Sequence, residues 1–192
     1  MAIDVPLRSE AVRKSVSQQQ DFRAAMRRHP GAVCVISTGD CAAPIATTAT
    51  AVCSLTVEPP QIAVFLAQAS ETCRAIAGGG STGKTIGADA CRFVVNLLTT
   101  RQQGIAATCA DPVARKQRMS LGWDGEPGAP PRLSGAAYHM ECLLARSEVI
   151  GTHVLIVGEV VDVVVAAKAD PLLYLNGLWH CAASLSQTEE MD

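Results

Sequence analysis

The sequence predicts a mostly β domain, a closed or partly closed antiparallel barrel with two or three short helices. Three observations carry that prediction. About six segments have strand length and strand composition. Two of them, residues 138–150 and 153–166, are long β-patterned runs joined at Gly151-Thr152, which marks a hairpin. The regular alternation of strand and helix that builds a parallel sheet is missing from the pattern.

Taken in order, residues 1–17 are polar and mixed and read as a loose N-terminal arm. Residues 18–28 read as a helix with Phe22, Ala25 and Met26 on one face, stopped by His29-Pro30-Gly31. Residues 32–38 are small and β-branched, hence a strand, and Gly39-Asp40 starts a turn. Residues 45–56 alternate Thr with Ala and Val until Glu58-Pro59-Pro60 ends the run. Residues 61–67 form an apolar strand, 71–77 one or two helical turns, 78–90 a Gly-rich loop and 92–98 another buried strand. Residues 101–110 read as a short helix ending before Pro112. Residues 123–131 are rich in Gly and Pro and irregular, and 172–175 make a last short strand. The domain is expected to span 18–182, with a tail at 183–192.

The chain has 192 residues, 48% apolar and 18% charged, with a net charge of −2, which is a globular composition able to bury a core. No run of Lys and Arg makes a phosphate-tracking patch, and aromatics are only 4%, so nucleic acid is not an expected partner. No apolar run has the length to span a bilayer, and the N-terminus lacks a signal-peptide pattern, so a cytoplasmic location away from membranes is expected. The eight cysteines form no C-x-x-C pair and sit mostly inside apolar runs. They read as small, reduced core residues rather than a disulfide framework or a metal site.

One motif points elsewhere. Gly78 to Thr85 satisfies G-x-x-x-x-G-K-[ST], in which backbone amides wrap phosphates, Lys84 would reach them and Thr85 would hold Mg²⁺. That chemistry needs a strand before the loop and a long helix after it. Here the preceding residues look helical, and the following ones run quickly into a strand. Val160-Val161-Asp162 is a weak candidate for the metal-orienting strand. The match reads as a Gly-rich loop, with nucleotide hydrolysis as a minor alternative.

The segment Thr47-Thr48-Ala49-Thr50-Ala51-Val52-Cys53-Ser54 combines small residues with hydroxyls at Thr48, Thr50 and Ser54. Small residues let a planar ligand approach the backbone, and hydroxyls can bond polar ring edges or a phosphate. Alone, it reads more readily as an ordinary Thr-rich strand than as a binding segment. Its neighbours form an ordered set: Ser54 to Pro60, then Ala69-Ser70-Glu71-Thr72, Phe93 to Leu98, Gln102-Gln103, Gly151-Thr152-His153, Val157 to Val160, Pro171 to Tyr174 and Gly177-Leu178-Trp179.

From about Phe22 to Trp179 this order resembles the flavin reductase-like family, the short-chain reductases of two-component flavin monooxygenases. The resemblance implies an FMN-binding split barrel, a Greek-key antiparallel barrel of six strands, working as a homodimer. It implies NADH or NADPH as hydride donor, FMN or FAD as acceptor, and a flavin-dependent monooxygenase as the partner receiving reduced flavin. Flavin contacts then fall on Thr48, Ala49, Thr50, Ala51, Val52, Ser54, Leu55, Ala69, Ser70 and Glu71, with Ser70 on the ribityl chain or phosphate. His153 matches the family's Gly-x-His histidine beside the nicotinamide. Ala67-Gln68-Ala69 departs from a stretch that often carries a cation, a gap Lys84 would fill if its loop folds over the flavin. Other acceptors, such as a corrinoid or a ferric complex, and a non-catalytic flavin carrier stay open.

Overall fold

The computed structural model describes residues 7–78 and 91–184. The chain runs α1 (Leu7–Arg27), β1 (Gly31–Ala32), β2 (Cys34–Asp40), β3 (Ala43–Ala49), β4 (Val52–Val57), β5 (Pro60–Ala67), α2 (Glu71–Ala77) and β6 (Arg92–Leu97). A 3-10 turn, Thr100–Gln102, leads into α3 (Gln103–Ala110), then α4 (Arg115–Met119), β7 (Trp123–Asp124) and β8 (Arg132–Leu133). The chain finishes with β9 (Tyr138–Ile150), β10 (His153–Val165), β11 (Leu172–Leu175) and β12 (Leu178–Cys181).

The main sheet is antiparallel throughout and has seven strands in the order β3-β2-β6-β9-β10-β5-β4. Its ladder does not close on itself. The two end strands are consecutive in sequence, however, separated only by Thr50 and Ala51. The single run expected at 45–56 is therefore two strands, and the six expected barrel strands become seven because the wall splits at this bend. The first half pairs with β2 up to Ala49, and the second pairs with β5 from Val52.

β2 shows why its sequence is a continuous apolar run. Cys34 and Ile36 face the barrel interior with Val64, Phe93, Val95, Val154 and Ile156. Val33 and Val35 face a second core with Leu98, Ala106, Leu133 and Leu172. Both faces of the strand are buried, so no polar alternation is tolerated. α2 plugs the interior with Cys73 and Ile76. Ser70 caps this helix, its Oγ accepting from the Cys73 amide at 3.4 Å.

Three expectations change. α1 begins at Leu7 rather than at residue 18, so helix extends into the segment expected to be a loose arm. α4, β7, β8 and β12 were not expected, and β7 falls within 123–131, where pairing with β8 makes a short strand of a stretch read as irregular. All eight cysteines are unpaired, but Cys53 and Cys181 are exposed and only four are fully buried. No helix among the described residues is long and apolar enough to cross a membrane, and none of their His, Cys, Asp and Glu groups is arranged to hold a metal.

Candidate functional site

The split in the barrel wall opens onto a cavity of about 760 Å³. Thr50, Ala51, Val52 and Cys53 form one wall, and Phe65 from β5 adjoins them. Phe22, Arg23, Met26 and Arg27 of α1, with His29 after it, form another, while Tyr174 and Gly177 of the β11–β12 hairpin close the side. Two features hold the wall. The Phe65 amide donates to the Ala51 carbonyl at 3.0 Å. Thr50 packs so tightly on Gly31 that a Cβ there would lie 2.9 Å from Thr50 Cβ. Any larger residue at 31 would push the bend out of place.

The predicted residues divide into groups. Thr50, Ala51 and Val52 line the cavity. Thr48 turns away, its hydroxyl donating to the Ala106 carbonyl of α3 at 2.7 Å, and Ala49 is buried in the barrel core. Ser54 and Leu55 lie exposed on β4, where the register shifts. Ala69, Ser70 and Glu71 lead into α2. The Gln68 amide donates to the Thr152 carbonyl at 3.0 Å, tying this loop to the tip of the β9–β10 hairpin. His153 stands at that tip, exposed, opposite Ala67 in register. Its Nδ1 lies 3.0 Å from the Thr152 hydroxyl. Pairing alternation puts His153, Ala67 and Phe65 on one face of the sheet, and Phe65 lines the cavity.

Two arginines were not anticipated. Arg115 Nη1 lies 3.3 Å from Glu71, and Arg118 Nη2 lies 4.0 Å from its second oxygen. Arg118 is buried, its Nη1 donating to the Asp111 carbonyl at 2.5 Å, while Trp123 Nε1 donates to the Arg118 carbonyl at 2.7 Å. α4 thus brings two cations to Glu71, while Arg74 of α2 donates from Nη1 to the Ala69 carbonyl at 2.6 Å. The sequence carried only a polar run, Arg115-Lys116-Gln117-Arg118, with nothing to show which face it packs. Lys84 and the rest of the phosphate-loop match beyond Gly78 lie outside the described residues. The residues before it form α2, not the strand that motif requires, and Asp162 is taken by Arg132 at 2.6 Å.

The flavin reductase like domain model matches residues 26–180. The chain belongs to the flavin reductase like domain family. This flavin reductase-like chain is 30% identical to the FMN reductase (NADH) RutF of Stutzerimonas stutzeri over 167 residues, covering 86% of this chain and 90% of that protein. It is 30% identical to the reductase component of 4-hydroxyphenylacetate 3-monooxygenase from Escherichia coli, covering 85% and 91%. The crystal structure of a flavin reductase domain protein from Arthrobacter sp. FB24 superposes with a TM-score of 0.73 at 25% identity, over 88% of this chain and 99% of that one. The family match and this likeness agree with the mostly β barrel read from the sequence.

Proposed function

We propose that this chain is an NAD(P)H:flavin oxidoreductase that reduces FMN or FAD with NADH or NADPH and supplies the reduced flavin to a partner flavin-dependent monooxygenase. The observation that carries the reading is the split at Thr50–Val52 and the cavity it faces, in a chain of this family.

The residues fit a flavin. A tricyclic ring needs a slot lined by small and apolar groups with polar atoms at its edge. Ala51, Val52 and Phe65 supply the apolar surface, and Thr50, placed between the two ladders, supplies a hydroxyl at the rim. Ala49 behind the bend and Ser54 and Leu55 on β4 hold and extend this wall. Thr48 acts through structure, anchoring β3 to α3. Ser70 and Ala69, with Glu71 orienting Arg115 and Arg118, hold the phosphate end by charge-assisted hydrogen bonds. Bound flavin supplies the two-electron acceptor chemistry. The protein positions two rings and excludes water between them. His153 orients the nicotinamide nucleotide, and the hydride step requires no general acid or base from the chain.

Exposed apolar residues support a homodimer. Val57 on β4 and Val165 on β10 are 86% and 69% exposed. β5 pairs with β10 only up to Glu159, which leaves the later part of β10 with one open edge. Unpaired cysteines support a reducing, cytoplasmic setting.

Steady-state NADH and NADPH oxidation with added FMN or FAD tests the reading. Turnover with at least one pairing is expected. Tight flavin binding without turnover would make the chain a carrier instead.

A further inference from the structure

The cavity holds a second feature that the flavin does not account for. Arg23 and Arg27 lie one helical turn apart on α1, so both present to the same side, and both line the cavity beside His29. No acidic side chain among the described residues lines it. Among the described residues neither arginine forms an ion pair, although five other arginines do. Arg27 is positioned by the hairpin. Its carbonyl accepts from the Asn176 amide at 2.7 Å, and its guanidinium lies over Gly177, where a Cβ would be 3.2 Å from Nη2. Beside these cations Phe22 remains 65% exposed and Met26 49% exposed.

An apolar aromatic floor with two free guanidiniums at its rim matches an aromatic base joined to phosphates. The arginines proposed for the flavin phosphate are separate: Glu71, Arg115 and Arg118 do not line this cavity. A flavin reductase must hold two phosphate-bearing nucleotides, and the Arg23–Arg27 pair lies apart from Arg115 and Arg118. Resting on the reductase reading above, we infer that Arg23 and Arg27 bind the diphosphate of the nicotinamide dinucleotide, with its adenine against Phe22 and Met26. The N-terminal helix is then a specificity element for the reductant, not only a cap on the barrel.

The test uses ADP, the portion of the dinucleotide that this cluster would hold. Calorimetric titration of the flavin-free full chain with ADP is expected to show binding that weakens about ten-fold or more in Arg23→Ala/Arg27→Ala. In the complete reaction the same variant is expected to raise KM for NADH by about ten-fold while its FMN affinity stays at the wild-type value. Arg23→Lys/Arg27→Lys is expected to recover part of both losses, which a merely structural role would not give. Absence of ADP binding to the wild type, or an unchanged KM in the alanine variant, would overturn the inference. Loss of FAD affinity with KM for NADH retained would also overturn it, assigning the cluster to the adenylate half of FAD. Failure of the reductase reading is distinct: the wild type would then oxidise no NAD(P)H with either flavin, whatever ADP does.

Discussion

The Phe93 ring occupies the space in front of Gly158: a Cβ on Gly158 would lie 2.5 Å from Phe93 Cζ and 2.9 Å from Cys142 Cβ. Phe93 is fully buried in the barrel core, so the ring has nowhere to retreat. The β9–β10 register shifts at Val157/Gly158, which bends the long hairpin. Gly158→Ala is therefore expected to destabilise the fold by about 1–3 kcal/mol through overpacking. Urea unfolding measures this, and a variant as stable as the wild type would contradict the packing.

Glu141 is buried and receives hydrogen bonds from both Arg92 and Arg132, and Arg132 also reaches Asp162. The bond to Glu141, aided by Asp162, holds the Arg132 guanidinium charged. Removing one partner leaves charge without compensation. Glu141→Gln is expected to cost toward the lower end of ~3–5 kcal/mol, because both arginines are partly exposed and water recovers some of the loss. A drop in melting midpoint with unchanged flavin affinity is the expected pattern.

His139 makes stability depend on pH. Asn96 Nδ2 donates to the Val35 carbonyl and to Ser37 Oγ, which leaves Oδ1 as the acceptor for the Leu133 amide and for His139 Nδ1. His139 Nδ1 therefore carries a proton and donates to Oδ1. Burial first, and the Arg132 guanidinium second, lower its pKa below the ordinary value of 6.5, against an opposing pull from Asp124. Below 6.5 the unfolded chain binds this proton more readily than the folded one, so stability falls as pH drops through that value and recovers above it. His139→Gln is expected to flatten this part of the profile in unfolding curves taken on both sides of it.

Burial pushes the thiols of Cys34, Cys109 and Cys142 up to about 12, so they carry almost no thiolate at neutral pH. Cys53 and Cys181 are exposed. Titration of the native chain with a coloured disulfide reagent is expected to show these two thiols reacting first. Fast modification of Cys34 would mean that the barrel opens readily.

On the proposed reading, Arg115 serves the phosphate end of the flavin and not its ring end. Arg115→Ala is expected to weaken FMN binding by about ten-fold and to leave riboflavin, which has no phosphate, nearly unaffected. The change should shrink at high salt. Equal losses for both flavins would place Arg115 outside the phosphate site.

Much of this architecture is legible in the residues. β9, α2 and β11 form where local pattern places them, because a β-patterned run, a Ser cap and a short apolar run are decided within a few residues. β10 starts at the predicted residue and stops one short. β12 was legible too, since Asn176-Gly177 supports a tight hairpin turn with both residues at positive φ, yet the flanking run is short and the signal passed unread. α4 left no such signal. Its five residues are almost all polar and carry no apolar period.

The sequence by itself determined the antiparallel barrel, its long hairpin and the small, hydroxyl-bearing character of Thr47 to Ser54, since these follow from periodicity and side-chain size. Tertiary structure alone decided where that segment breaks. Thr47 to Ser54 reads as one unbroken run of small and hydroxyl-bearing residues, and only pairing with β2 on one side and β5 on the other forces a split at Thr50-Ala51. Likewise, only folding places Arg118 beside Glu71, and Arg23 and Arg27 beside Thr50 to Cys53. Charge and geometry between residues far apart in sequence are set by how layers pack, and no local pattern records that.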